Sequence, residues 1–81
     1  MPKVTVYTTP YCPFCLRAKL LLRSKGIGFE EIDVSDYDLR RELEERTNWP
    51  TVPQVFIDGE FVGGSDELQA LDDEGKLDAM V

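Results

Sequence analysis

The chain of 81 residues contains no histidine and only two cysteines, Cys12 and Cys15. A structural zinc site needs nitrogen or sulfur ligands at about four positions, so a closed site could form here only between two copies of the chain. Two cysteines this close together cannot form a disulfide that links distant parts of the fold, and the lack of such structural disulfides is typical of proteins in a reducing cytosol. The sequence therefore predicts a cytoplasmic protein without a resident metal, in which the cysteines serve chemistry.

Long hydrophobic runs and positive charge are also scarce. No segment is apolar enough to span a membrane, no repeat is present, and no secretory leader precedes the first predicted strand. Nine Lys and Arg residues stand against sixteen Asp and Glu, a net charge of −7, which argues against nucleic acids or anionic membranes as partners. The length suits one domain over residues 1–81 with a single modest core, and we expect a monomer.

The two cysteines lie where a predicted strand gives way to a predicted helix. Residues 3–8 are rich in β-formers, and residues 13–25 favour helix. Pro13 suits the first helical position, which puts Cys12 at the N-cap, where its sulfur can accept a free backbone N–H such as that of Cys15. The positive end of the helix should favour the ionised form of Cys12. Cys15, one turn further on, should face the core as a shielded resolving thiol.

Two other interpretations of this pair remain. A Cys-x-x-Cys motif can be half of a zinc site, which would require a zinc-bridged dimer of this chain. The two residues could also be unrelated buried cysteines, but Pro13 and the strand-to-helix junction would then be coincidental. A redox-active pair explains all of these features together.

The middle of the chain continues with a strand and a helix. Residues 29–34 predict a second strand, which the intervening helix makes parallel to the first. Residues 35–38 have the character of a capping box and open a charged helix of about ten residues. We expect Leu39 and Leu43 on its inner face and its end near Asn48, since Pro50 disfavours a helical residue before it.

The last third predicts a hairpin and a final helix. Residues 55–57 and 60–62 flank Asp58-Gly59, a strong turn signal. Ser65 can cap a helix that runs to about residue 73. The predicted order is βαβαββα, an α/β fold.

Two further motifs are suited to hold a ligand. Thr51-Val52-Pro53 enters the third strand, where Pro53 is a candidate for a cis bond and the Val52 backbone is open to an added peptide. Gly63-Gly64-Ser65-Asp66 combines free N–H groups with a helix N-terminus, which suits a carboxylate. Taken singly, Pro53 fits an ordinary turn and Ser65 an ordinary cap; their occurrence together with Cys-Pro-Phe-Cys favours a shared site.

With these three motifs, the sequence resembles the glutaredoxins along nearly its whole length. The resemblance implies a thioredoxin-like fold with a four-stranded mixed sheet and three helices. It also implies glutathione-dependent reduction of protein disulfides and of protein–glutathione mixed disulfides, with Cys12 as the nucleophile and Cys15 as the resolving thiol. Glutathione would be the reducing co-substrate, and disulfide-containing or glutathionylated proteins would be the partners.

The resemblance also assigns a glutathione site. Val52 would pair through its backbone with the cysteine of glutathione, Asp66 would reach the γ-glutamyl ammonium, and Arg40 would contact the glycine carboxylate. The residues assigned to glutathione in this way are Tyr11, Phe14, Arg40, Thr51, Val52, Pro53, Gly64, Ser65 and Asp66.

Two departures from the family pattern keep alternatives open. Thr9 stands where many members have a lysine, and Trp49-Pro50 resembles the single-cysteine branch that handles iron–sulfur clusters. The alternatives are a glutaredoxin-like protein reduced by thioredoxin reductase and a dimer that bridges an iron–sulfur cluster through two Cys12 thiolates. The presence of Cys15 and the missing insertion before Cys12 favour the disulfide-reducing class.

Overall fold

A four-stranded mixed sheet organises the computed structural model, which describes residues 3–81. Met1 and Pro2, to which the expectation about a leader refers, lie outside the described residues. The elements in chain order are β1 (Val4–Thr8), α1 (Pro13–Ser24), β2 (Glu30–Asp33), α2 (Tyr37–Thr47), β3 (Gln54–Ile57), β4 (Glu60–Gly63), α3 (Ser65–Asp73) and α4 (Leu77–Met80).

The strands lie in the order β2-β1-β3-β4. β1 pairs with β2 in parallel, as the intervening helix predicted, and β3 runs antiparallel to both β1 and β4. The β3–β4 hairpin turns at Asp58 and Gly59, whose φ angles of 53° and 81° are those that a tight Asp-Gly turn requires. The predicted mixed sheet and thioredoxin-like fold are confirmed.

Apolar residues fill both faces of the sheet, because successive strand residues point to opposite sides. On one face, side chains of β1 and β3 pack against α1, α3 and α4, and this larger cluster consists of Val4, Val6, Ala18, Leu22, Val55, Ile57, Leu68 and Leu77. On the other face, Leu43 of α2 packs with Val34 and Phe56. The helices thus lie in two layers around the sheet.

The structure adds a short fourth helix to the three that were predicted. Gly75 adopts a left-handed conformation with φ of 73°, as expected for a helix stop, and the chain then forms α4. Leu77 drives this turn, since its side chain is fully buried in the larger cluster. No described helix is long and apolar enough to cross a membrane.

Three local predictions were wrong. Leu39 is 48% exposed, because the cluster on that face of the sheet covers only the turn of α2 that carries Leu43. No capping box opens α2, since Asp36 alone caps it by accepting the N–H groups of Asp38 and Leu39. At α3 the cap is Gly64 rather than Ser65, which is already the first helical residue.

Candidate functional site

Cys12 occupies the N-cap of α1, as the sequence predicted. Its backbone is extended, with φ of −100° and ψ of 111°, and its sulfur accepts the N–H of Cys15 at 3.2 Å. Pro13 follows at the start of the helix, where its missing N–H leaves no partner unsatisfied. The half-buried Cys12 sulfur therefore lies at the positive end of a helix of twelve residues.

Cys15 differs from Cys12 in its surroundings. It is only 1% exposed, and burial raises its pKa to about 12, helped by its hydrogen bond with Cys12. A buried thiol of this kind stays protonated at neutral pH and is shielded from bulky reagents. The pair thus consists of one accessible sulfur and one protected sulfur a single helical turn apart.

The Thr51-Val52-Pro53 segment lies directly beside Cys12. The Val52–Pro53 peptide bond is cis, as predicted, and the Cys12 thiol points at the carbonyl oxygen of Val52, 3.8 Å from its sulfur. Gln54, which is fully buried, donates from Nε2 to the carbonyl oxygens of Trp49 and Thr51 at 2.9 and 3.2 Å. This amide side chain of the first β3 residue thus holds Thr51 and the preceding Trp49 in place.

The start of α3 approaches the same segment from the other side. Gly63 has a φ of 124°, and a Cβ there would lie 2.6 Å from the Cβ of Glu67, so only glycine fits. The Gly64 N–H donates to the Glu67 carboxylate at 2.9 Å, and a Cβ on Gly64 would lie 3.3 Å from the Pro53 carbonyl oxygen. The absence of a side chain at Gly63 leaves room for Glu67 of α3, and its absence at Gly64 lets α3 begin close to the cis-proline turn.

These elements enclose a cleft of about 270 Å³, called here the proline cleft. It is lined by Phe14, Trp49, Thr51, Val52, Pro53, Gly64, Ser65, Asp66 and Glu67. Seven of the nine residues assigned to glutathione from the sequence are therefore brought together. Tyr11 and Arg40 do not line this cleft: Tyr11 is fully exposed, and Arg40 forms an ion pair with Glu44 of the same helix at 3.5 Å.

Sequence reasoning missed three contributors to the proline cleft. Trp49 was read only as a sign of another branch, yet it lines the cleft and packs edge-to-face on Phe61, 5.6 Å between ring centroids. Its buried Nε1 has no hydrogen-bond acceptor among residues 3–81. No role was predicted for Gln54, although an amide beside an apolar strand is a signal of a buried hydrogen-bonding role. No role in the cleft was predicted for Glu67 either.

A second, larger cleft opens on the other side of the cysteines, with a volume of about 870 Å³. We call it the Lys19 cleft; it is lined by Thr8, Thr9, Pro10, Tyr11, Cys12, Pro13, Cys15, Leu16, Lys19, Glu31 and Asp33. One carboxylate oxygen of Glu31 accepts both the Lys19 ammonium, at 2.9 Å, and the Thr8 hydroxyl, at 2.8 Å. The hydrogen bonds from Lys19 and then Thr8 hold the pKa of Glu31 below its usual value.

Metal-ligating side chains do not gather elsewhere in the described part of the chain. No group of three or more Cys, Asp or Glu side chains there is arranged to hold a metal ion.

Comparison with known proteins gives concordant results. The family model described as glutaredoxin matches residues 4–62. A glutaredoxin of Pseudomonas aeruginosa is 49% identical, over 100% of this chain and 98% of its own length. The solution structure of glutaredoxin from Brucella melitensis is 54% identical with a TM-score of 0.86, over 95% of this chain and 85% of that one. A crystal structure of a buckwheat glutaredoxin–glutathione complex has a TM-score of 0.90 at 31% identity, over 98% of this chain and 76% of that one.

Proposed function

Because this chain belongs to the glutaredoxin family, we propose that it is a glutathione-dependent enzyme that reduces protein disulfides and protein–glutathione mixed disulfides. The family makes it a thiol–disulfide oxidoreductase. The observation that supports the finer proposal most directly is the position of the Cys12 sulfur, 3.8 Å from the Val52 carbonyl at the edge of the proline cleft.

Cys12 is the attacking thiol and Cys15 the resolving thiol in this proposal. The helix N-terminus and the Cys15 N–H stabilise negative charge on Cys12, and its half-exposed sulfur is open to a substrate. Cys15 is buried and mainly protonated, so it does not compete for the first attack. The unequal surroundings of the two sulfurs thus set the order of the steps.

Glutathione occupies the proline cleft in this proposal. The backbone N–H and carbonyl of Val52 can pair with the glutathione backbone as neighbouring strands do, and Thr51 and Pro53 fix the orientation of Val52. The start of α3 offers the N–H groups of Ser65 and Asp66 to the γ-glutamyl carboxylate, and the Asp66 side chain offers a partner for its ammonium. The buckwheat relative, whose structure is a complex with glutathione, supports this choice of ligand.

The outer contacts are proposed for Phe14, Arg40 and Tyr11. Phe14 is 49% exposed at the mouth of the proline cleft and offers an apolar surface to the tripeptide. Arg40 would reach the glycine carboxylate by sharing its guanidinium between that group and Glu44. Tyr11, next to Cys12, would contact the part of the ligand that extends from the site.

The reaction on a glutathionylated protein then needs Cys12 alone. The Cys12 thiolate attacks the glutathione sulfur, a Cys12–glutathione disulfide forms, and the client leaves as a thiolate that takes up a proton. A second glutathione thiolate attacks the glutathione sulfur of that disulfide, glutathione disulfide leaves, and the Cys12 thiolate is regenerated. A protein disulfide instead forms a mixed disulfide with Cys12, which Cys15 resolves.

The remaining parts of the proposal concern the setting of the protein. We place it in a reducing cytosol as a monomer, with glutathione and disulfide-containing or glutathionylated proteins as its partners. No resident metal enters the reaction. The acidic surface, with a net charge of −7, suits neutral or basic client segments.

Two cysteine variants test the proposed division of roles. Cys12→Ser should lose all exchange with both substrate types. Cys15→Ser should keep the reduction of a glutathionylated peptide and lose the two-thiol reduction of a protein disulfide. The measurement is NADPH consumption coupled through glutathione and glutathione reductase, and a parallel assay with thioredoxin reductase checks the source of electrons. Inactivity of Cys15→Ser toward the glutathionylated peptide, or turnover of the native protein with thioredoxin reductase alone, would show that the proposal is wrong.

A further inference from the structure

The Lys19 cleft contains an ion pair that the proposed glutathione site does not use. Lys19 lies four residues after Cys15 on α1, so the two side chains are neighbours one helical turn apart. Both residues line the Lys19 cleft together with Cys12. A cation is thus held beside the resolving sulfur, on the side of the cysteines away from the proline cleft.

Lys19 is restrained in this position by two strands. Its side chain is only 21% exposed, and its Nζ lies 2.9 Å from Oε2 of Glu31 on β2. The same oxygen is fixed by the Thr8 hydroxyl of β1 at 2.8 Å. The hydrogen bonds at this oxygen hold the pKa of Glu31 below its usual value, so the ion pair persists across the neutral range.

The resolving step gives this cation a role. Burial is the largest cause of the high pKa of Cys15, and the hydrogen bond and the negative charge of Cys12 add to it. Once Cys12 is part of a mixed disulfide, its negative charge is gone, while the burial of Cys15 remains. A hydrogen bond with the Thr9 backbone and, to a smaller extent, the charge of Lys19 act in the opposite direction and lower the pKa of Cys15.

Other charged groups near the cysteines do not replace Lys19. The remaining ionisable side chains that line its cleft are the carboxylates Glu31 and Asp33 from β2, the phenol of Tyr11, and Cys12. On the opposite side, α3 presents Asp66 and Glu67, which are also anionic. Lys19 is the only cation among the described residues that line the two clefts.

We propose that Lys19 is a positioning residue for the resolving step, whose ammonium group, held by Glu31 one turn from Cys15, favours the Cys15 thiolate that attacks the Cys12 mixed disulfide. The inference rests on the proposed function, since it requires Cys12 to attack first and Cys15 to resolve. Lys19 acts through Cys15 and does not contact the substrate sulfur.

The step balances without any further reactant. The Cys15 thiol loses its proton to water in the cleft, and its sulfur attacks Cys12. The Cys12–Cys15 bond forms as the bond from Cys12 to the client sulfur breaks, and the client thiolate leaves and takes up a proton. The client disulfide is reduced by two electrons while the cysteine pair is oxidised.

A neutral dipyridyl disulfide separates the two steps in one experiment. At one equivalent of reagent, attack by Cys12 releases the first chromogenic thione in a bimolecular phase. Resolution by Cys15 releases the second thione in a unimolecular phase, and Cys15→Ser should show only the first. Stopped-flow absorbance then gives both rates over a range of pH.

Lys19→Met should leave the first phase unchanged and slow the second. Removing the charge of Lys19 raises the pKa of Cys15, so the variant should have less Cys15 thiolate at neutral pH, by up to about tenfold. A thiolate of higher pKa is more nucleophilic by about threefold per unit, which leaves a net slowing of up to about threefold. The pH profile of the second phase should move to higher pH. Lys19→Arg, which keeps the charge, should restore most of the rate.

Three comparisons decide the outcome. Lys3→Met is the control for the loss of a paired lysine, because Lys3, just before β1, forms an ion pair with Glu30 of β2 but does not line the cleft; both of its phases should match the native protein. A second phase unaltered in Lys19→Met, or slowed equally in Lys19→Arg, would overturn the role of the charge. A second phase slowed in Glu31→Gln while Lys19→Met stays native would assign the effect to the carboxylate instead. Loss of the first phase in the native protein would refute the proposed function itself.

Discussion

The sulfurs of Cys12 and Cys15, three residues apart, differ in burial and in hydrogen bonding. Cys12 is half-buried, caps α1 and accepts an N–H, whereas Cys15 is buried and has a pKa raised to about 12. The difference arises from a single helical turn, which moves a side chain from the helix end to the core. Thr9, which lines the Lys19 cleft beside Cys12, offers a way to change this balance at one residue.

Thr9→Lys should increase the fraction of Cys12 present as thiolate at a fixed neutral pH. The added ammonium lies near the thiolate and near the expected glycine carboxylate of glutathione, so glutathione binding should also tighten at low salt. Both gains should fade at high salt, since the new charge is exposed. Ultraviolet thiolate absorbance and the rate of alkylation of reduced protein measure the first effect.

Thr9→Gln is the control for this change, because it adds length without charge. It should behave as the native protein in both measurements. If Thr9→Lys leaves the thiolate fraction unaltered, the helix end and the Cys15 N–H alone determine the ionisation of Cys12.

At the level of secondary structure elements, two helix N-termini converge on the proline cleft. α1 presents Phe14, with Cys12 at its N-cap beside the Val52 carbonyl, and α3 presents Ser65 and Asp66. The segment before β3 lies between the two helix ends. The position of this segment depends on Gln54, whose amide donates to the carbonyl oxygens of Trp49 and Thr51. β3 therefore positions the proposed glutathione site through its first side chain.

Gln54→Leu should destabilise the protein and weaken glutathione binding together. Two neutral hydrogen bonds are lost, which costs about 1–3 kcal/mol in the free energy of unfolding. The freed segment should raise the KM for a glutathionylated peptide severalfold with a smaller change in kcat. Chemical denaturation and steady-state kinetics measure the two effects.

The matched control is Gln69→Leu, which removes an exposed hydrogen bond to Asp73 on α3. Its free energy of unfolding should stay within about 0.5 kcal/mol of the native value, with unchanged kinetics. A native KM in Gln54→Leu, despite lower stability, would show that the segment keeps its position without the amide.

At the scale of the whole molecule, the sheet carries two apolar faces and the site at one end. Cys15 is buried on α1, the helix whose Ala18 and Leu22 belong to the larger cluster. The ionisation of a single buried thiol is therefore coupled to the folding of the whole chain. This coupling makes stability depend on pH on the alkaline side.

The reduced protein should lose stability between about pH 9 and 12 through Cys15. The pKa of the Cys15 thiol has its ordinary value of 9.0 in the unfolded chain and is raised to about 12 in the folded protein. Below pH 9 both states hold the proton and this contribution is constant. Above it the unfolded state releases the proton first, so the free energy of unfolding falls by at most about 1.4 kcal/mol per pH unit.

Denaturation of native and Cys15→Ala proteins under reductant isolates this effect. The other groups that titrate in this range, such as the Lys25 ammonium paired with Asp72, are common to both proteins. The difference between the two curves should be flat below pH 9 and should shrink above it. Parallel curves up to pH 12 would show that Cys15 ionises as easily folded as unfolded.

Predictions from the sequence succeeded where neighbouring residues decide the structure. Pro13 determined the start of α1, and Asp58-Gly59 determined the hairpin turn. Errors occurred where a distant contact outweighed the local pattern. Leu39 has the spacing of an inner-face residue, but no residue of the sheet covers it. Gly64 rather than Ser65 is the N-cap of α3, because the Gly64 N–H donates to the Glu67 carboxylate.

The sequence by itself determined the motif, the strand-to-helix junction and the order of elements, because turn geometry, helix capping and side-chain periodicity act over a few residues. Only the tertiary structure decided which surfaces meet at Cys12. Val52 is 40 positions away from it, and Glu31 reaches Lys19 from another element. Such contacts depend on how the sheet orders its strands and how closely glycines let the helices approach. The proline cleft and the ion pair of Lys19 are therefore products of packing, while the motif with the two cysteines was visible in five consecutive residues.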